Sequence, residues 1–194
     1  MEKLSNIITD FYIRKAFASE DKREIYQYGF KLIIADIINF SMIMLLGVVL
    51  RRFMESIAFL ITLCGVRQFS GGFHAKTFWL CRLSMIITFV CVILSTYFIS
   101  HTIDNIAIAS VNVVSVTVIA ILAPVKHPNK TLTEQQQKQN KMKAIITSLI
   151  LSVVSVILIV ANRIEGVTIS ITLVAVVILM IIGVTVQRGG YKNV

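Results

Sequence analysis

The residues best placed to do chemistry lie in one polar stretch between two hydrophobic runs, Arg67-Gln-Phe-Ser-Gly-Gly-Phe-His-Ala-Lys-Thr-Phe-Trp-Leu-Cys81. A cysteine attacks as the thiolate, because the neutral thiol is a poor nucleophile. A histidine in reach can take the thiol proton and later hand it to a leaving amine. Arg67, Lys76 and Arg82 add positive potential that favours the thiolate. The spacing sets a geometric condition. Seven residues of straight helix separate His74 from Cys81 by ~10.5 Å of rise, and helical side chains lean toward the N-terminus, away from the partner. Contact therefore needs a break, and Gly71-Gly72 supply one at small steric cost. The expectation is His74 on a loop or first helical turn and Cys81 on the following helix. On these residues alone, an interfacial histidine and a small buried thiol remain the bland alternative. Cys64 and Cys91 sit inside apolar runs and read as packing residues.

The elements that must position this stretch are hydrophobic. Of 194 residues, 56% are hydrophobic and only 15% charged, against roughly 45–50% and about 25% in an ordinary soluble domain. That apolar surplus calls for lipid. The chain reads as all-α, a polytopic membrane protein of about six transmembrane helices forming one domain over 1–194. The expected spans are Leu32–Leu50, Phe53–Val66, Leu83–Ser100, Ile106–Ala123, Ala144–Ala161 and Val167–Val186. The second is short enough to be re-entrant or protein-buried. Residues 1–31 form a polar N-terminal region that carries no signal-peptide pattern. Leu4, Ile7, Ile8 and Phe11 fall on one helical face there. That predicts an amphipathic helix in the membrane interface, or one packed on the bundle. Ser19, Glu20 and Asp21 read as the start of a second helix.

Charge distribution predicts orientation. With the N-terminus inside, segments 1–31, 67–82, 124–143 and the tail 187–194 hold sixteen of the nineteen Lys and Arg residues. The outer loops hold Arg51, Arg52 and Arg163. Basic residues favour the cytoplasmic side, so both termini are expected there, with the 67–82 segment and the basic loop 124–143. Arg51-Arg52 is the weak point of this count. The net charge of +9 thus belongs to topology and not to nucleic acid, since no basic patch is interleaved with aromatics. Three cysteines without CxxC spacing give no disulfide framework or metal site, and no cofactor is implied. Asp36 is expected to pair with Lys31 or another loop cation. His101 and His127 read as surface residues.

The stretch resembles the signature of the accessory gene regulator B family, the AgrB-type membrane endopeptidases of Gram-positive quorum sensing. Arg67, Gly71-Gly72, His74-Ala75 and Cys81 carry the resemblance, together with chain length and Ala123-Pro124 opening a basic loop before two final spans. After Pro124 the likeness is loose. The resemblance implies an AgrD-type propeptide substrate, cut before its acidic tail by Cys81 with His74 as base and then acid. The resulting thioester closes to a thiolactone or lactone. Arg67, Gly71 and Gly72 are implied as supporting residues. The substrate tail would meet Lys126, Lys130, Lys138, Lys141 and Lys143. A homodimer in the cell membrane is implied as well. The competing reading is a small peptide transporter or exporter without protease chemistry; no paired Gly/Pro-broken helices favour it. Serine GxSG and zinc HExxH protease motifs are missing from the sequence.

Overall fold

The computed structural model describes residues 2–15, 20–71, 78–102, 105–125 and 133–190. Among them there is no strand. Seven helices follow one another: α1 (Glu2–Arg14), α2 (Arg23–Val49, entered through a 3-10 turn Glu20–Lys22), α3 (Phe53–Ser70), α4 (Phe78–Thr102), α5 (Asn105–Leu122), α6 (Glu134–Val160) and α7 (Ile164–Gly190). Four helical stretches are long and apolar enough to cross a membrane: Glu20–Val49, Phe78–Ser100, Glu134–Val160 and Ile164–Thr185. The apolar part of α5, Ile106–Leu122, is shorter, and α3 carries Glu55 near its start and Arg67 near its end. Six spans were expected; length and composition support these four.

The chain forms two compact units, Met1–Leu46 and Gly47–Val194. In the first, α1 runs antiparallel to the opening turns of α2. Glu2, Asn6 and Asp10, one turn apart, meet Lys31, Gln27 and Arg23. Arg23 also bonds Glu20 at 3.0 Å. Lys31 bonds Glu2 at 3.3 Å. Ser5 and Thr9 are buried, whereas Leu4, Ile7 and Phe11 are more than half exposed. Helix α1 thus turns its polar side to α2 and its apolar side outward. Ser19 lies outside the described residues.

In the second unit, α7 is the central post. Half of its most apolar window is buried, against 22% for α4 and 28% for α6, and it packs on α3, α4, α5 and α6. Leu173, Val176 and Met180 are almost fully buried along it. The seams are lined with small and hydroxylated residues, as expected where helices must approach closely in lipid. Asn112 of α5 donates to Ser155 Oγ of α6 at 3.1 Å, and Ser155 Oγ lies 2.8 Å from both the Gly166 carbonyl and Ser170 Oγ of α7.

Two helix ends share one construction. At the end of α2 the Arg52 N–H donates to the Gly47 carbonyl and the Arg51 N–H to that of Val48, with Arg51 at φ 57. At the end of α6 the Arg163 N–H reaches the Leu158 carbonyl and the Asn162 N–H that of Ile159, with Asn162 at φ 55. Both are Schellman closures with a left-handed residue. In each, an arginine just before the next helix pairs with a glutamate in its first turn, Arg52 with Glu55 at 3.0 Å and Arg163 with Glu165 at 2.8 Å.

Candidate functional site

Helix α3 ends at Ser70 because Gly71 takes φ 71 and ψ −157, a conformation essentially reserved for glycine. The Gly71 N–H still donates to the Arg67 carbonyl at 3.0 Å, closing the last turn. Helix α4 opens at Phe78, which puts Cys81, half-buried, in its first described turn. Helix α3 thus breaks at Gly71, ahead of Cys81; the break expected between His74 and Cys81 falls mainly on residues outside those described. Gly72, His74 and Lys76 lie outside the described residues.

The packing of α3 on α4 sets the level of the two motif ends. Phe59 and Phe89, both fully buried, meet edge to face with centroids 5.2 Å apart. At the far end Arg52 stacks over Tyr97 at 6.0 Å. These pairs fix an antiparallel register. Eight residues from each phenylalanine toward the motif stand Arg67 on α3 and Cys81 on α4, about 12 Å of rise along either helix. Arg67 and Cys81, fourteen positions apart in sequence, thus both lie toward the same end of the bundle.

Other charged side chains gather at this end. The Arg82 guanidinium lies over the Trp79 ring at 5.6 Å and the Lys143 ammonium over the Phe69 ring at 5.6 Å. The expected basic loop 124–143 is shorter than its sequence suggests. Helix α6 begins at Glu134, fixed by a capping box in which Thr133 Oγ1 accepts from Gln136 N–H and the Gln136 side chain accepts from Thr133 N–H. Lys138, Lys141 and Lys143 are therefore helical and exposed, whereas Lys126 and Lys130 lie outside the described residues. Sequence reasoning singled out neither Phe69 nor Val125. The Val125 N–H donates to the Ser70 carbonyl at 2.9 Å, joining the chain after α5 to the end of α3. Ala123-Pro124 was the only signal near it.

A groove of 440 Å³ lies elsewhere, between α3, α6 and α7 at the end marked by Met54, Leu158 and Arg163. Neither Arg67 nor Cys81 lines it.

Among the described residues the protein is all-helical, and its several long apolar helices fit a multi-pass membrane protein. The chain belongs to the accessory gene regulator B family, whose model matches residues 5–186. Family membership places it in the accessory gene regulator system of quorum sensing. Putative AgrB-like protein 2 of Clostridium perfringens (strain 13 / Type A) is 28% identical over 167 residues, covering 81% of this chain and 78% of its own. A putative AgrB-like protein of C. perfringens (strain SM101 / Type A) is 26% identical with the same coverage. Protein FsrB of Enterococcus faecalis (strain ATCC 47077 / OG1RF) is 35% identical over 66 residues, 34% of this chain and 27% of its own. No solved structure matches the chain.

Proposed function

We propose that the chain is a membrane cysteine endopeptidase that processes an AgrD-type propeptide, with Cys81 as nucleophile and His74 as its acid–base partner. The observation that supports the reading is that α3 ends at Gly71 and Cys81 follows in the first described turn of α4, toward the same bundle end as Arg67. The Cys81 thiolate adds to the carbonyl before the acidic tail. The carbon–nitrogen bond breaks, and His74 returns the proton to the departing amine. The signal segment stays on Cys81 as a thioester, so the acyl group remains activated. An internal thiol or hydroxyl of the peptide then attacks that carbonyl, releasing Cys81 and closing the ring. Exclusion of water at a membrane surface protects the acyl-enzyme from hydrolysis. Arg67 gives electrostatic support, and Gly71 and Gly72 shape the backbone.

Six crossings with both termini inside follow if α3 and α5 also span; the sixteen-to-three charge distribution supports that orientation. The exposed Leu4, Ile7 and Phe11 then suit a membrane interface, where lipid contacts α1. Lys138 and Lys141 are offered to the acidic tail from the first turns of α6, with Lys126, Lys130 and Lys143 nearby in sequence. A homodimer in the membrane of a Gram-positive cell completes the reading; the relatives come from such organisms. The test is mass spectrometry of the purified protein with a propeptide whose internal nucleophile is replaced by alanine. That substrate acylates but cannot cyclise, so an adduct on Cys81 should accumulate or slowly yield linear peptide. Tail release at the normal rate by the Cys81→Ala protein would remove the assignment.

A further inference from the structure

The motif segment begins at a joint made with another part of the chain. The Ser70 carbonyl accepts the Val125 N–H at 2.9 Å, and Ser70 Oγ donates to the Gly71 carbonyl at 3.2 Å. Ser70 is fully buried and Val125 is 9% exposed. The backbones approach so closely that a Cβ on Gly71 would stand 2.9 Å from the Val125 carbonyl oxygen and 3.5 Å from its Cβ. Gly71 therefore meets two demands, a positive φ and room for Val125. On the neighbouring face Lys143 of α6 covers Phe69. The end of α3 is thus held from two directions by chain that follows α5, although in sequence Val125 lies 55 positions beyond Ser70.

We propose that Val125 is a positioning residue for the tail-release reaction: its main chain latches Ser70-Gly71 and fixes where the connection to Cys81 leaves α3. The inference rests on the cysteine-endopeptidase reading. Val125 acts through backbone atoms, so its role lies in geometry and not in substrate contact. A misplacement of about 1 Å at a reacting pair costs on the order of 10²-fold in rate. Loss of the latch should accordingly appear in kcat and leave KM for the propeptide nearly unchanged.

Three variants of the full chain in lipid nanodiscs test this. Val125→Pro removes the N–H donor, Gly71→Ala drives a methyl into the Val125 carbonyl, and Val125→Ala keeps the donor. Val125→Pro and Gly71→Ala should lower kcat at least tenfold with KM within about threefold, and Val125→Ala should retain most of kcat. A Val125→Pro protein with wild-type kcat, or a loss confined to KM, or a Val125→Ala protein as damaged as Val125→Pro, overturns the latch. A second readout needs no turnover. Iodoacetamide should label Cys81 at a rate changed at least threefold in Val125→Pro, while Cys91, remote on α4, labels as in the wild type. An unchanged Cys81 rate also overturns the proposal, and a changed Cys91 rate marks general misfolding, in which case Gly71→Ala decides. Tail release by Cys81→Ala, run alongside, tells failure of the peptidase reading apart from failure of the latch.

Discussion

Gly166 should accept a methyl group poorly. It stands in the first turn of α7 where that helix crosses the end of α6. A Cβ there would lie 2.7 Å from Ile159 N, 2.7 Å from the Ser155 carbonyl oxygen and 2.9 Å from Ile159 Cγ1. Ordinary carbon contacts begin near 3.4 Å, and two of the three obstacles are main-chain atoms that no rotamer change can clear. Helix α7 must retreat by roughly 0.7 Å at this level. The Ser155 Oγ to Gly166 carbonyl bond, now 2.8 Å, would stretch to about 3.5 Å, past useful length. A buried interhelical bond of this kind is worth about 0.6 kcal/mol, and forced expansion of a packed interior costs about 1–3 kcal/mol. Ile108, Ile159 and Val167 share that cluster and must loosen together. With alanine's helical gain of about 0.5–1 kcal/mol set against this, Gly166→Ala should destabilise by about 1–3 kcal/mol. Gly65→Ala is the matched control. Its Cβ meets Thr147 Cγ2 at 3.5 Å, an ordinary contact, and alanine in a helix interior gains about 0.5–1 kcal/mol over glycine. Thermal unfolding in detergent, followed by dye labelling of the half-buried Cys64, reads both. Gly166→Ala should lower the midpoint by several degrees and Gly65→Ala should hold or raise it. Equal midpoints for the two variants would refute the account of how α7 sits on α6.

Three further outcomes follow from the proposed function. His74→Ala should slow acylation of Cys81 by on the order of 10²–10⁴, measured by quenched-flow capture of the adduct; a loss below threefold would deny His74 the acid–base role. A cysteine placed at Arg51 should react with an impermeant maleimide on intact cells, and one at Lys138 only after permeabilisation; the opposite pattern would invert the topology. Lys138→Glu with Lys141→Glu should raise KM for a propeptide with an acidic tail and spare one whose tail is neutralised. Identical KM values for the two peptides would take tail docking away from α6.

Much of this architecture is written in local patterns. The apolar runs mark the helices, and Gly71-Gly72 mark the break before Cys81, because hydropathy and turn chemistry are properties of neighbouring residues. The limits of the helices are less legible from hydropathy. The expected span opens at Ala144, where lipid-compatible residues start, whereas helix α6 begins at Glu134. The Thr133-Glu-Gln-Gln136 capping signature is present in the sequence, within the segment that reads as a basic loop. Helix α1 could be recognised as two-faced, but its polar side finds partners only once α2 is known to start at Arg23. The Val125–Ser70 bond leaves almost no trace in the sequence, since it joins two main chains and constrains neither side chain directly.

The two ends of the Gly47–Val194 unit handle charge differently, and this bears on the orientation. At the end that carries the two Schellman closures, Arg52 and Arg163 are each answered by a glutamate. Arg51-Arg52, the apparent flaw in an outside assignment, thus carries about one positive charge beyond its partner instead of two. At the opposite end, Arg82 and Lys143 rest on aromatic faces. A ring holds a cation through its quadrupole and neutralises nothing. Residues 67–82 contain no aspartate or glutamate, and 124–143 contain only Glu134. Both segments are therefore strongly basic in sequence. Such segments favour the cytoplasmic side and draw an acidic segment toward them. The same excess charge therefore supports both the proposed topology and the proposed approach of an acidic tail to Cys81.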